Sequence, residues 1–125
     1  MRYAAAFLAT LTALIHIVMG GSDTLKPMMA SETLPTTVSL TLQGSWHSMS
    51  AFLSVSAYVF LRNWGGTRMF ASVWLGAGAI FTLLGLLSGG PSGLLELPQG
   101  LLLIPTALCA IAARNQALQD PVQPA

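Results

Sequence analysis

His16 and His47 are the side chains best suited to chemistry in this chain, because each lies inside a long apolar run. A titratable group in hydrocarbon is expensive and usually faces protein, water or a ligand, so it marks a candidate site. Glu96 and Gln99, three residues apart, add polar groups to a later apolar stretch. Three chemistries fit this set. Neutral imidazoles with a carboxylate bind Zn, Cu, Ni or Fe, with His16, His47 and Glu96 as ligands. Met19, one turn from His16, adds a soft donor suited to a copper ion. Alternatively, the two histidines are axial ligands of a haem b held between their helices. Thirdly, His16, His47 and Glu96 form a proton relay or hold a quinone headgroup. Trp46, Ser50 and Tyr58, on the stretch that carries His47, would support any of these sites. The plainer alternative makes each histidine neutral, structural and hydrogen-bonded to a hydroxyl or carbonyl, with Glu96 solvated or paired with Lys26. No H-E-x-x-H pattern, nucleophile elbow or phosphate-binding glycine loop occurs, so no catalytic residue is expected.

The elements that must position these groups follow from composition. Of 125 residues, 54% are hydrophobic and 7% charged, against about 25% charged in soluble domains. A soluble fold of this size would need several times more charge to cover its surface. The net charge of +1 leaves no basic track for nucleic acid. Cys109 is the single cysteine, which excludes an intramolecular disulfide and a thiolate cluster. Four apolar stretches, 3–20, 42–61, 69–87 and 94–113, each approach the ~20 residues that cross a hydrocarbon core. They lack the alternation of barrel strands, so helices are expected. The expected fold is all-α, one integral-membrane four-helix bundle. Gly20-Gly21-Ser22-Asp23, Asn63-Trp64-Gly65-Gly66 and the Ser88–Gly93 segment punctuate the joints. Pro35 is a first-turn residue that starts a helix near Thr36, ahead of the second span. Pro98 and Pro105 fall within the fourth span and should bend it. An outer loop is expected over 21–41 and a frayed polar tail over 115–125.

Arg2, Arg62, Arg68 and Arg114 flank one set of span ends and only Lys26 the other. The positive-inside rule therefore puts both termini in the cytoplasm of a bacterial inner membrane. Arg2 before an apolar run also suits a signal peptide. The run is longer than a signal core and no A-x-A-like site follows His16, so the first span is read as retained. At 1.5 Å per residue, His16 lies ~20 Å from Tyr3, His47 ~21 Å from Leu61 and Gln99 ~21 Å from Ala113. Equal depth permits contact; azimuth must also agree. On the first span, Ala5, Ala9, Thr12, Ala13, His16 and Gly20 share a face. On the second, Gly44, His47, Ser50, Ala51, Ser54 and Tyr58 do so. Small-residue faces are where membrane helices approach, so both histidines are expected to point inward. Glu96 and Gln99 are expected on one face of the fourth span. Ala71, Gly78 and Gly85 on the third form a lipid-facing stripe that invites helix contacts. Trp46, Trp64 and Trp74 are expected partly as interface anchors, with Trp46 also placed to pack over the histidines.

The segments Leu14-Ile15-His16-Ile17-Val18-Met19-Gly20-Gly21, Ser45-Trp46-His47-Ser48 and Leu97-Pro98-Gln99-Gly100-Leu101-Leu102 resemble small uncharacterised four-span bacterial membrane proteins. In overall plan the chain is similar to DoxX-like proteins, whose member of that name is associated with a quinol oxidase. That resemblance implies an inner-membrane four-helix bundle and transfers no activity and no site residue. Two functions are expected from the sequence. The first is a non-catalytic subunit or accessory protein of a membrane complex, bound to a membrane-protein partner or to further copies of itself. The second is a haem-, metal- or quinone-binding protein built on His16 and His47.

Overall fold

The computed structural model describes residues 1–119, and the described chain is helical throughout, with no strand. Helix α1 (Arg2–Gly20) runs through a π-helical turn (Gly21–Leu25) into α2 (Lys26–Met29). Helix α3 spans Thr36–Arg62 and α4 Thr67–Gly89. A 3₁₀ turn (Gly90–Ser92) then leads to α5 (Gly93–Glu96) and α6 (Gln99–Gln119). Three stretches are long and apolar enough to cross a membrane: Arg2–Met29, Thr67–Glu96 and Gln99–Gln119. Helix α3 has the length but falls short in apolarity, because hydroxyls, His47 and Gln43 interrupt it.

Three features differ from the sequence expectation, each for a local reason. Gly20 and Gly21 do not end the first helix. The chain stays helical there and widens by one residue, with Lys26 N–H donating to Gly21 O. Ser22 Oγ donates to Met19 O at 2.8 Å and serves the widened turn. Pro98 does not lie within a fourth span but separates α5 from α6. A residue before proline avoids the helical region, and Leu97 accordingly has φ −122°, ψ 68°. Pro105 alone remains inside α6. The polar stretch after Arg114 is not frayed at its start, since α6 continues to Gln119; the rest of the expected tail, 120–125, lies outside the described residues. The α4–α5 joint turns at Gly90, whose φ of 61° and ψ of −143° no residue with a side chain adopts cheaply. Helix α3 starts at Thr36, directly after Pro35, where the sequence put it.

Small residues set the packing. Helix α1 lies between α3 and α6, α4 lies on α6, and α3 meets α4 only sparingly. Ala5, Ala9, Thr12 and Ala13 bury the expected face of α1. Ala71, Gly78 and Gly85 are not lipid-facing: all are buried, because α4 and α6 come together along glycines. A Cβ on Gly78 would lie 2.7 Å from Ile104 Cγ1, and one on Gly100 would strike Thr82 and sit 3.0 Å from Gly78 O. Helix backbones approach this closely only where side chains are absent. Trp74 is likewise not an interface anchor but the largest wholly buried side chain. Its indole N–H donates to Ser56 Oγ at 2.8 Å, and its ring meets Phe60 edge-on at 5.7 Å. Phe52 and Phe70 stack beside this pair at 5.5 Å. All of these α3–α4 contacts lie in the half of the bundle nearest the Asn63 turn. Outward, the surface is apolar, with Phe7, Val18, Val73, Leu87, Leu101 and Leu108 exposed.

Candidate functional site

His16 sits on the last turns of α1, one helical step above the buried Ala13 face. Its ring stacks on the Trp46 indole of α3, with centroids 4.1 Å apart and planes 15° from parallel. Gly20 makes room for that indole: a Cβ there would lie 2.8 Å from Trp46 Cη2. The α1 face expected around His16 is therefore correct, and its partner is an aromatic ring. Ser50 Oγ donates to Trp46 O at 3.0 Å and braces the same turn of α3. Buried inside this contact, His16 Nε2 has no hydrogen-bond partner among the described residues.

His47 does not join it. Successive helix residues diverge by about 100°, and α3 turns Ser39, Gln43, Trp46, Ser50, Leu53 and Phe60 inward. Trp46 occupies the azimuth facing α1, which leaves His47 exposed on the flank. Of the stripe expected to face inward, only Ser50 is half-buried; Gly44, His47, Ala51, Ser54 and Tyr58 are all exposed. The bulk of Trp46, Leu53 and Phe60 decides which face is covered, since apolar area counts for more than smallness.

The remaining candidates are dispersed. Glu96 ends α5 and Gln99 begins α6, so the break at Leu97-Pro98 removes the shared helical face; both are exposed. Met19 is 58% exposed. Tyr58 lies three turns of α3 beyond Trp46 and meets Trp64 edge-on at 5.3 Å. Met29 Sδ accepts a weak hydrogen bond from Ser39 Oγ at 3.7 Å. Among the described residues no three His, Cys, Asp or Glu side chains gather as ligands for a metal ion. An axial haem pair would need both imidazoles to face one gap, and Trp46 fills the gap that His16 faces. What the geometry assembles is one stacked His–Trp pair inside the bundle, and one polar helix face outside it.

The sequence shows that outer face of α3 as a stripe of small and polar residues, but the stripe lies outside the bundle and not within it. Its hydroxyls are served by their own helix: Ser45 Oγ donates to Thr41 O at 2.9 Å and Ser54 Oγ to Ser50 O at 2.8 Å. The His47 imidazole has no such partner among the described residues. A second group of residues missed by sequence reasoning surrounds the α3–α4 turn. Asn63 takes the left-handed conformation, φ 51°, and donates from Nδ2 to Ala113 O at 3.2 Å. Arg114 Nη1 donates to Asn63 O at 3.2 Å, and Arg68 Nη2 to Asn115 Oδ1 at 2.6 Å. Asn-Trp-Gly-Gly was a legible turn signal, but its tie to the end of α6 involves residues about fifty positions away.

No family model, curated protein or solved structure matches the chain at a significant level.

Proposed function

We propose that the chain is a four-span protein of a bacterial inner membrane, with both termini cytoplasmic, and that it acts as a non-catalytic component of a membrane complex. The observation that carries this reading is the exposed α3 face of Gly44, His47, Ser48, Ala51 and Ser54. A helix turned to lipid along such a face forgoes apolar contact and leaves an imidazole without a partner, which is costly in hydrocarbon. Small residues with hydroxyls and a histidine suit close approach by another transmembrane helix. The low apolarity of α3 thereby acquires a reason: both of its sides meet protein. Orientation follows from the arginines at the α1 start, α3 end, α4 start and α6 end. The DoxX-like plan agrees with this reading and adds no residue to it.

The test is site-specific photocrosslinking in native membranes. A photoreactive side chain at Ala51 should give a discrete protein adduct, whereas one at Val73, on the outer face of α4, should label lipid. His47→Leu should weaken the Ala51 adduct without lowering the amount of folded protein. Equal lipid labelling from both positions, or an adduct indifferent to His47→Leu, would overturn the assignment.

A further inference from the structure

Charge is sorted along the bundle. Arg2, Arg62, Arg68 and Arg114 all lie at the end where α1 begins and α6 ends, while Asp23, Glu32, Glu96 and Lys26 lie at the other; Asp120 lies outside the described residues. Among the described residues, therefore, no carboxylate shares an end with the guanidiniums. Among the described residues each guanidinium meets only neutral groups. Arg2 donates to Tyr3 OH at 2.9 Å, Arg62 lies 5.8 Å over the Trp64 ring, Arg68 bonds the Asn115 amide and Arg114 the Asn63 carbonyl. An arginine has five N–H donors, so most of this donor capacity is unused among the described residues.

Three of the four converge on one feature. Arg62 precedes Asn63, Arg114 holds the Asn63 carbonyl, and Arg68 holds the residue that follows Arg114. Guanidiniums from α3, α4 and α6 thus ring the tight turn between α3 and α4. Gly65 and Gly66 form the tip of that turn, and a Cβ at either would meet nothing within 4 Å. The turn therefore offers open space beside concentrated positive charge. Trp64, 48% exposed, stands at the same level with Tyr58 packed edge-on against it. Amphipathic rings of this kind settle at the headgroup layer.

We propose that the Arg62–Arg68–Arg114 cluster around the Asn63–Gly66 turn is a docking site for the phosphate headgroup of an anionic phospholipid. This rests on the membrane reading above. Arginine forks match phosphate oxygens in bidentate geometry, and a net anionic lipid balances the positive charge that no carboxylate among the described residues offsets. A zwitterionic lipid brings its own ammonium and does not. Three charges around one turn are too few and too compact for a nucleic-acid backbone.

The full chain, extracted in mild detergent and stripped of lipid, is titrated with phosphatidylglycerol or phosphatidylcholine and read by native mass spectrometry. Each basic residue near an anionic surface contributes about five-fold in affinity. Phosphatidylglycerol should therefore bind in preference to phosphatidylcholine, and Arg62→Gln, at a residue that makes no side-chain hydrogen bond among the described residues and lies over the Trp64 ring, should weaken it about five-fold. The triple variant Arg62→Gln/Arg68→Gln/Arg114→Gln should lose roughly two orders of magnitude. Arg62→Lys, which keeps the charge and loses the fork, should fall between the native chain and Arg62→Gln. Equal binding of the two lipids, or undiminished phosphatidylglycerol binding by Arg62→Gln with its helix content intact, overturns the proposal. Displacement of the lipid by millimolar inorganic phosphate also overturns it, in favour of a free-anion site. Recovery of the chain in the detergent-free soluble fraction would instead defeat the membrane reading itself.

Discussion

Replacing Ser56 with alanine removes the acceptor of the Trp74 indole N–H, and the surroundings offer no substitute. Both residues are 0% exposed. The hydrogen bond is short, 2.8 Å, and is one of few links between α3 and α4. Ser56 Oγ also donates to Phe52 O at 2.7 Å, but that carbonyl keeps its helical partner, so its share of the loss is small. Leaving a buried donor unsatisfied costs about 1–3 kcal/mol. Interhelical side-chain bonds in membranes measure lower, about 0.6 kcal/mol on average and ~1.7 at most, because the unfolded helices also find partners. Complete burial puts this pair near the upper end, so Ser56→Ala should cost about 1–1.7 kcal/mol. For a chain of this length that corresponds to a fall of roughly 3–10 °C in Tm. The assay is reversible unfolding in detergent, run as a cycle with Trp74→Phe, which deletes the donor and keeps most of the ring. The same Ser56→Ala change should be nearly neutral in the Trp74→Phe background, since no donor is then stranded. Equal costs in both backgrounds would refute the reasoning, and so would a change below about 0.3 kcal/mol in the native one.

Other expectations follow from single contacts. Gly100→Ala should destabilise by about 1–3 kcal/mol through overpacking against Gly78 O and Thr82, while Gly76→Ala, with nothing near its Cβ position, should be neutral or better; unfolding midpoints of the two variants decide. Gly20→Val should push Trp46 off His16, read by NMR as loss of the upfield ring-current shift of the His16 ring protons; an unmoved shift would mean the stack does not depend on the glycine. Because His16 and His47 do not face one gap, the visible spectrum and bound-metal content of the purified protein should be the same for native protein, His16→Ala and His47→Ala. A Soret band or stoichiometric metal lost in both variants would restore a paired site.

What the sequence revealed of this fold was periodicity and length, and what it concealed was azimuth. The apolar runs, the arginines at their ends and the α3 start after Pro35 were readable because each is a local property. The small face of α1 was readable too, since alanines at helical spacing have few other uses in so apolar a segment. The α3 stripe failed because two faces of that helix were plausible interiors. One held small and polar residues, the other Trp46, Leu53, Val59 and Phe60. Smallness marks where helices can approach, and bulk marks what burial rewards; on α3 the two criteria disagreed and bulk prevailed. On α4 they agreed less visibly, because Gly78 is covered by Leu103 and Ile104 of α6 and Gly85 by Gly93 of α5, residues that follow only after a turn. Trp74 was unreadable for a related reason. A tryptophan near a span end suits an interface as well as a core, and only Ser56 on another helix makes the core satisfiable.

Helix α3 is therefore the element whose role the rest of the bundle does not explain. Helices α1, α4 and α6 hold one another through alanines and glycines, and an apolar exterior completes them. Helix α3 leans on α1 through Trp46 and on α4 through Ser56 and Phe52, and keeps its small, polar side outward. Were lipid its only neighbour, exchanging His47, Ser48 and Ser54 for leucine would stabilise the protein at no cost, since none of the three braces the fold. Under the proposed function the same exchange separates stability from assembly. The triple leucine variant should unfold at a higher temperature than the native chain in detergent and yet fail to give the Ala51 adduct in membranes. A variant that gains stability and still crosslinks would leave the polarity of α3 unexplained by docking.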